Sequence, residues 1–152
     1  MNARSSGKRG LRVARFSIDA SIILLFLQIL LGMWANLFAS FPNPTNGVNP
    51  LDKIFTEGPA LLTLHVLVGI LLGILSIALL AVAVITRDRR LIALGAAALG
   101  SVLLAGESGI EFVLGWYQEN LYSYTMTVGF VLLTAVYVWA GRKMQEWYPP
   151  TK

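Results

Sequence analysis

Hydrophobic residues along this 152-residue chain gather into four long runs separated by short polar stretches. The runs cover about 16–39, 58–86, 91–116 and 121–141, and each exceeds the roughly 20 residues that cross a hydrocarbon core as a helix. Period-two alternation of the kind a barrel strand needs is missing, and lipid leaves only helices and closed barrels to satisfy a backbone. The pattern therefore predicts an all-α integral membrane protein, with four transmembrane helices packed as an antiparallel bundle joined by short connections. The one long connection, 40–57, holds Pro42, Pro44 and Pro50 with Asn43, Asn46, Gly47 and Asn49. It reads as a series of turns over the mouth of the bundle.

Charge gives the pattern a direction. Residues 1–15 carry Arg4, Lys8, Arg9, Arg12 and Arg15, the second connection carries Arg87, Arg89 and Arg90, and the tail 142–152 carries Arg142, Lys143 and Lys152. Eleven of the twelve basic residues thus fall on one side of the bundle, and only Lys53 falls on the other. The positive-inside rule then places both termini and the 87–90 connection in the cytoplasm, the 40–57 loop outside, and the protein in the cell membrane as a multi-pass chain. The net charge of +4 is a topology signal that also suits anionic headgroups, so the lipid bilayer is the expected partner and nucleic acid is not. The first run is too long for a cleaved leader, and Leu37 stands where a cleavage site wants a small residue. Trp34, Trp116, Tyr117, Tyr122, Tyr124, Trp139 and Trp147 fall near the run ends, as interfacial aromatics do. Asp19, four residues after Arg15, is expected to form an interfacial ion pair.

Composition narrows the chemistry. With 56% hydrophobic and 13% charged residues and a mean hydropathy of +0.67, the chain is far from a soluble enzyme, which is about a quarter charged. Absence of cysteine and the single His65 exclude disulfides, thiolate metal sites, iron–sulfur clusters and any motif requiring two histidines from one chain.

Ionisable and amide groups inside a membrane run are costly and so become functional candidates. They are Gln28, His65, Glu107 and Glu111, with Asp19 and Asn36 nearer the ends. At a rise of about 1.5 Å per residue, His65 lies roughly 10 Å from the outer end of its run, Glu111 roughly 8 Å, Glu107 roughly 14 Å and Gln28 roughly 16 Å. Met126 lies at a similar outer depth on the fourth run. Glu107 and Glu111, four residues apart, share a helix face. Gly106 and Gly109 beside them suggest local irregularity, and Gly69 and Gly73 form a G-x-x-x-G of the kind that lets helices approach.

Four short segments carry a family resemblance: Leu27-Gln28-Ile29-Leu30-Leu31-Gly32; Glu57 before Leu64-His65-Val66-Leu67-Val68-Gly69; Ala105-Gly106-Glu107-Ser108-Gly109; and Ser123-Tyr124-Thr125-Met126-Thr127. Their order, over about residues 16–141, resembles one four-helix half of the haem A synthase family. The resemblance implies haem-ligating histidines on the second and fourth helices and an important acidic residue in the outer loop, which Glu57 would match. Val66 stands where the family usually has Arg after the histidine, and Met126 stands near the place of the fourth-helix histidine.

Three functional readings follow, and they leave open whether the chain is an enzyme. In the first, the protein binds haem b, with His65 and Met126 as axial ligands and Glu57, Glu107, Glu111 and Gln28 as a polar shell. In the second, it is a non-catalytic accessory or assembly subunit whose polar layer only fastens helices, in a homo-oligomer or a larger membrane complex. In the third, it carries a metal ion or protons, with His65, Glu107 and Glu111 as the alternative ligand set.

Overall fold

The computed structural model describes residues 3–43 and 47–148, with side chains of the first helix from residue 10 onward. Pro44, Asn46 and Lys152, and the side chains of Arg4, Lys8 and Arg9, lie outside the described residues. Among the described residues the structure is all-helical: α1 (Ala3–Phe38), α2 (Pro50–Glu57), α3 (Ala60–Thr86), α4 (Arg89–Leu114) and α5 (Asn120–Trp147). Four of these, α1 and α3 to α5, are long and apolar enough to cross a membrane. The shortest, α4 with 26 residues, is roughly 39 Å long at 1.5 Å per residue.

Two helices outrun the apolar stretches that announced them. The first begins at Ala3 rather than near Phe16, and the fifth continues through Arg142 and Lys143 to Trp147. Long unbranched polar residues lose little rotamer freedom in a helix, so the helix continues where hydrophobicity stops. The 40–57 connection is also more ordered than a set of turns. Asn49 accepts from the amide of Leu51 at 2.9 Å, Pro50 opens the helix and Asp52 sits in its first turn, so the second half of the loop is helix α2. That is an N-cap followed by proline at the first helical position.

The α3–α4 connection is only two residues. Arg87 takes a left-handed conformation (φ 55°), its N–H reaches Val84 O at 3.1 Å and the Asp88 N–H reaches Ala83 O at 3.2 Å, closing the last turn of α3. Asp88 then caps α4 by accepting from the amides of Arg90 (2.9 Å) and Leu91 (3.3 Å). The α4–α5 connection turns at Trp116 (φ 52°) and Tyr117 (φ 65°), and these swing the Tyr117 ring onto Phe41, 4.3 Å away and stacked.

The long helices pack α1 on α3, α3 on α4, α4 on α5, and α5 back on α1, with α3 and α5 on one diagonal. Small residues line the seams, including Ala14, Ser17, Ser21, Ser76, Ala83, Ala98 and Ala140, as suits helices that pack by close contact. Two helix backbones approach closely at Gly95, where a Cβ would lie 2.8 Å from Leu80 Cα, and at Gly129, where it would lie 2.7 Å from the Ala105 amide nitrogen. The G-x-x-x-G of α3 is not such a seam: Gly73 has open space around it. A second small core of Ala35, Ile54 and Leu62, with Phe41, Val113 and Tyr117, seats α2 over one end.

Candidate functional site

The first layer of polar groups belongs to α1 and α3. Gln28 and Gly32 lie one turn apart on α1, and His65 and Gly69 one turn apart on α3. Gln28 Nε2 lies 3.3 Å from His65 Nε2. A Cβ on Gly69 would lie 3.5 Å from Gln28 Nε2, and one on Gly32 would lie 3.3 Å from His65 Cε1 and 3.8 Å from Nδ1. Each polar side chain therefore rests on the bare backbone of the opposite helix. Both imidazole nitrogens face α1, and Nδ1 is buried without a partner among the described residues, as is Gln28 Oε1.

Met126 belongs to the α4–α5 seam instead. Its sulfur would lie 3.4 Å from a Cβ on Gly109, and the adjacent residue Thr125 donates to Ser108 Oγ at 2.8 Å. His65 and Met126, level in sequence, pack into different seams.

Glu107 and Glu111 face elsewhere. Both are exposed on α4, and neither makes a hydrogen bond or an ion pair among the described residues. The helix stays regular past Gly106 and Gly109, so the irregularity expected there is absent. Among the described residues no three His, Asp or Glu side chains converge at metal-ion distance. His65, Glu107 and Glu111 do not form such a group: His65 lies in the α1 seam beside Gln28, while both carboxylates are exposed on α4.

Glu57 ends α2 and lies 3.5 Å from Lys53 Nζ. Lys53 is buried and donates to Asn43 O at 2.9 Å, so the one cation at this end among the described residues ties together the 40–57 connection. The ion pair expected between Arg15 and Asp19 is not among those formed; both side chains are exposed.

Three pairings were not foreseen. Ser76 donates to Leu72 O (2.8 Å) and sits 2.9 Å from the hydroxyl of Tyr137, the largest fully buried side chain, joining α3 to α5 across the diagonal. At the end where α1 begins and α5 finishes, the Tyr148 hydroxyl donates to Asp88 Oδ2, and the Arg90 guanidinium lies 5.4 Å from the centre of the Trp147 ring. At the opposite end the Tyr117 hydroxyl is buried without a partner among the described residues, and burial pushes its pKa up. The signal for Tyr137 was present in the spacing of Gly129, Leu133, Tyr137, Ala140 and Met144, all buried on α5.

No protein-family model matches the chain, and neither a curated protein nor a solved structure matches it. The functional reading therefore rests on the residues and their geometry.

Proposed function

We propose that the chain is a non-catalytic subunit of a larger membrane complex, an antiparallel four-helix bundle set in the cell membrane with both termini cytoplasmic. The observation that carries this reading is the disposition of the polar groups. Gln28 closes on His65, Ser76 on Tyr137 and Ser108 on Thr125, so the interior holds fastenings between helices, and the carboxylates of Glu107 and Glu111, unpaired among the described residues, look outward.

Several features support the membrane and the topology. Phe16, Phe26 and Ile85 are 68, 70 and 75% exposed, as lipid-facing side chains are. Residue 10 meets 86 while 32 meets 65, and 109 meets 126 while 105 meets 129, so neighbours run in opposite directions. The basic residues gather at the end where Asp88 meets Tyr148. With α4 centred in roughly 30 Å of hydrocarbon, Glu111 falls at the outer boundary and Glu107 one turn deeper. A charge at the helix centre costs roughly 2.5–3.5 kcal/mol on insertion scales, and Glu107 bears a share of that cost unless something outside the chain meets it.

The haem reading would need His65 to leave both Gln28 and Gly32. The visible spectrum of protein purified from haem-replete cells separates the two. A colourless protein that migrates on native gels with other chains is expected. A Soret band that His65→Ala removes would overturn the proposal, as would migration as a lone chain in every mild detergent.

A further inference from the structure

Resting on the subunit reading above, we infer that the outward face of α4 is the docking surface for a membrane-spanning helix of a different protein, one that carries Lys or Arg in the outer part of its span. Ala93, Ala97, Gly100, Leu104, Glu107 and Glu111 recur every three or four residues and all are exposed, so they form one stripe along the helix. Its inner part is small, with open space around Gly100, which lets another helix approach closely. Its outer part ends in two carboxylates with no partner among the described residues.

Charge complementarity selects the occupant. A carboxylate below the membrane boundary persists when a cation or donor covers it. Among the described side chains, Arg12, Arg15, Arg87, Arg89, Arg90, Arg142 and Lys143 belong to the opposite end, and Lys53 already donates to Asn43 and pairs with Glu57. A second copy of the chain docked in the same orientation through this stripe would set Glu107 against Glu107. A foreign helix with a basic residue one turn inside the boundary supplies what a second copy lacks, and an Arg could meet both carboxylates across the single turn that separates them.

The test uses the full chain, donor-labelled, in phosphatidylcholine vesicles with acceptor-labelled single-span Leu/Ala peptides bearing Arg, Leu or Glu one turn inside the interface. The Arg peptide is expected to associate about tenfold more tightly than the Leu and Glu peptides. Glu107→Gln, and separately Gly100→Leu, should reduce it to the Leu level with the helical circular dichroism unchanged, while Glu107→Asp retains most of it. Equal association of the three peptides would overturn the inference, as would Arg-peptide binding that survives Glu107→Gln. Self-association of labelled chains that Glu107→Gln abolishes would replace the foreign helix with a second copy. Native complexes that persist while the Arg peptide is ignored would remove this inference alone; a cofactor lost with His65→Ala would remove the subunit reading alone.

Discussion

Gln28 and His65 form a reciprocal pair: their Nε2 atoms are 3.3 Å apart, and each side chain covers the glycine that follows the other by one helical turn. Only one hydrogen bond joins them, and it leaves His65 Nδ1 and Gln28 Oε1 buried and unpartnered. The pair thus fixes how α1 and α3 are rotated against each other more than it adds to their affinity. A double-mutant cycle with Gln28→Leu and His65→Leu should give a coupling of about 0.6 kcal/mol and below about 1.7, the range of polar contacts between membrane helices. Gly32→Val, which thrusts a side chain into the imidazole, should cost about 1–3 kcal/mol. Most of that loss should disappear in a His65→Ala background, read by unfolding in mixed micelles.

The glycines at the seams should not behave alike. Gly129→Ala places a methyl 2.7 Å from a backbone nitrogen of α4, where no side chain can yield, so α4 and α5 must separate. A loss of about 1–3 kcal/mol or more is expected. Gly73→Ala, made where nothing lies within 4 Å, should be neutral or stabilise by up to about 1 kcal/mol through helix propensity. Equal effects in thermal unfolding would contradict the packing described.

The hydrogen bond between Ser76 and Tyr137 is asymmetric. Ser76 gives its proton to Leu72 O, so the Tyr137 hydroxyl is the donor to Ser76. Tyr137→Phe leaves Ser76 with its own bond and should cost about 0.5–1.5 kcal/mol. Ser76→Ala strands a buried hydroxyl and should cost about 1–3 kcal/mol. The order of the two, measured in one detergent, is the prediction.

At the other end, stability should depend on pH through Asp88 and Tyr148. Burial opposes the Asp88 charge, but bonds from Tyr148 and the amides of Leu91 and Arg90, together with the Arg90 charge, hold its carboxyl below the ordinary 3.8. Burial and then the Asp88 bond and charge push Tyr148 up to about 12. A lowered carboxyl contributes fully above 3.8 and is lost as pH falls through its folded value. A raised phenol contributes fully below its ordinary 10.0 and is lost as pH rises through about 12. Tyr148→Phe should abolish the alkaline limb of a stability–pH curve and soften the acid limb. Asp88→Ala should also cost about 1 kcal/mol as a lost cap.

Much of the fold was legible because its signals are local. Four apolar runs became α1, α3, α4 and α5, and the two-residue joint at Arg87 and Asp88 lay where the charges predicted a connection. Helix α2 was equally local, written in Asn49-Pro50-Leu51-Asp52, but the surrounding prolines and asparagines read as turns. The candidate site fared differently. Gln28 and His65 do meet, whereas Met126, Glu107 and Glu111, level with them by residue count, belong to another seam or to the outside.

The sequence by itself determined depth: a rise of about 1.5 Å per residue converts position into height along a helix, so His65, Gln28, Glu107 and Met126 could be set near one level. Azimuth was decided only by the tertiary structure. In a water-soluble bundle polar residues mark the outer face of each helix, but α3 is apolar on nearly every side, so polarity cannot say which side meets a neighbour. Close packing of small residues makes that choice: Gly95 against Leu80, Gly129 against Ala105, and Gly32 and Gly69 beneath His65 and Gln28. Those contacts turn the imidazole inward onto α1 and leave Glu107 and Glu111 on the outside of α4.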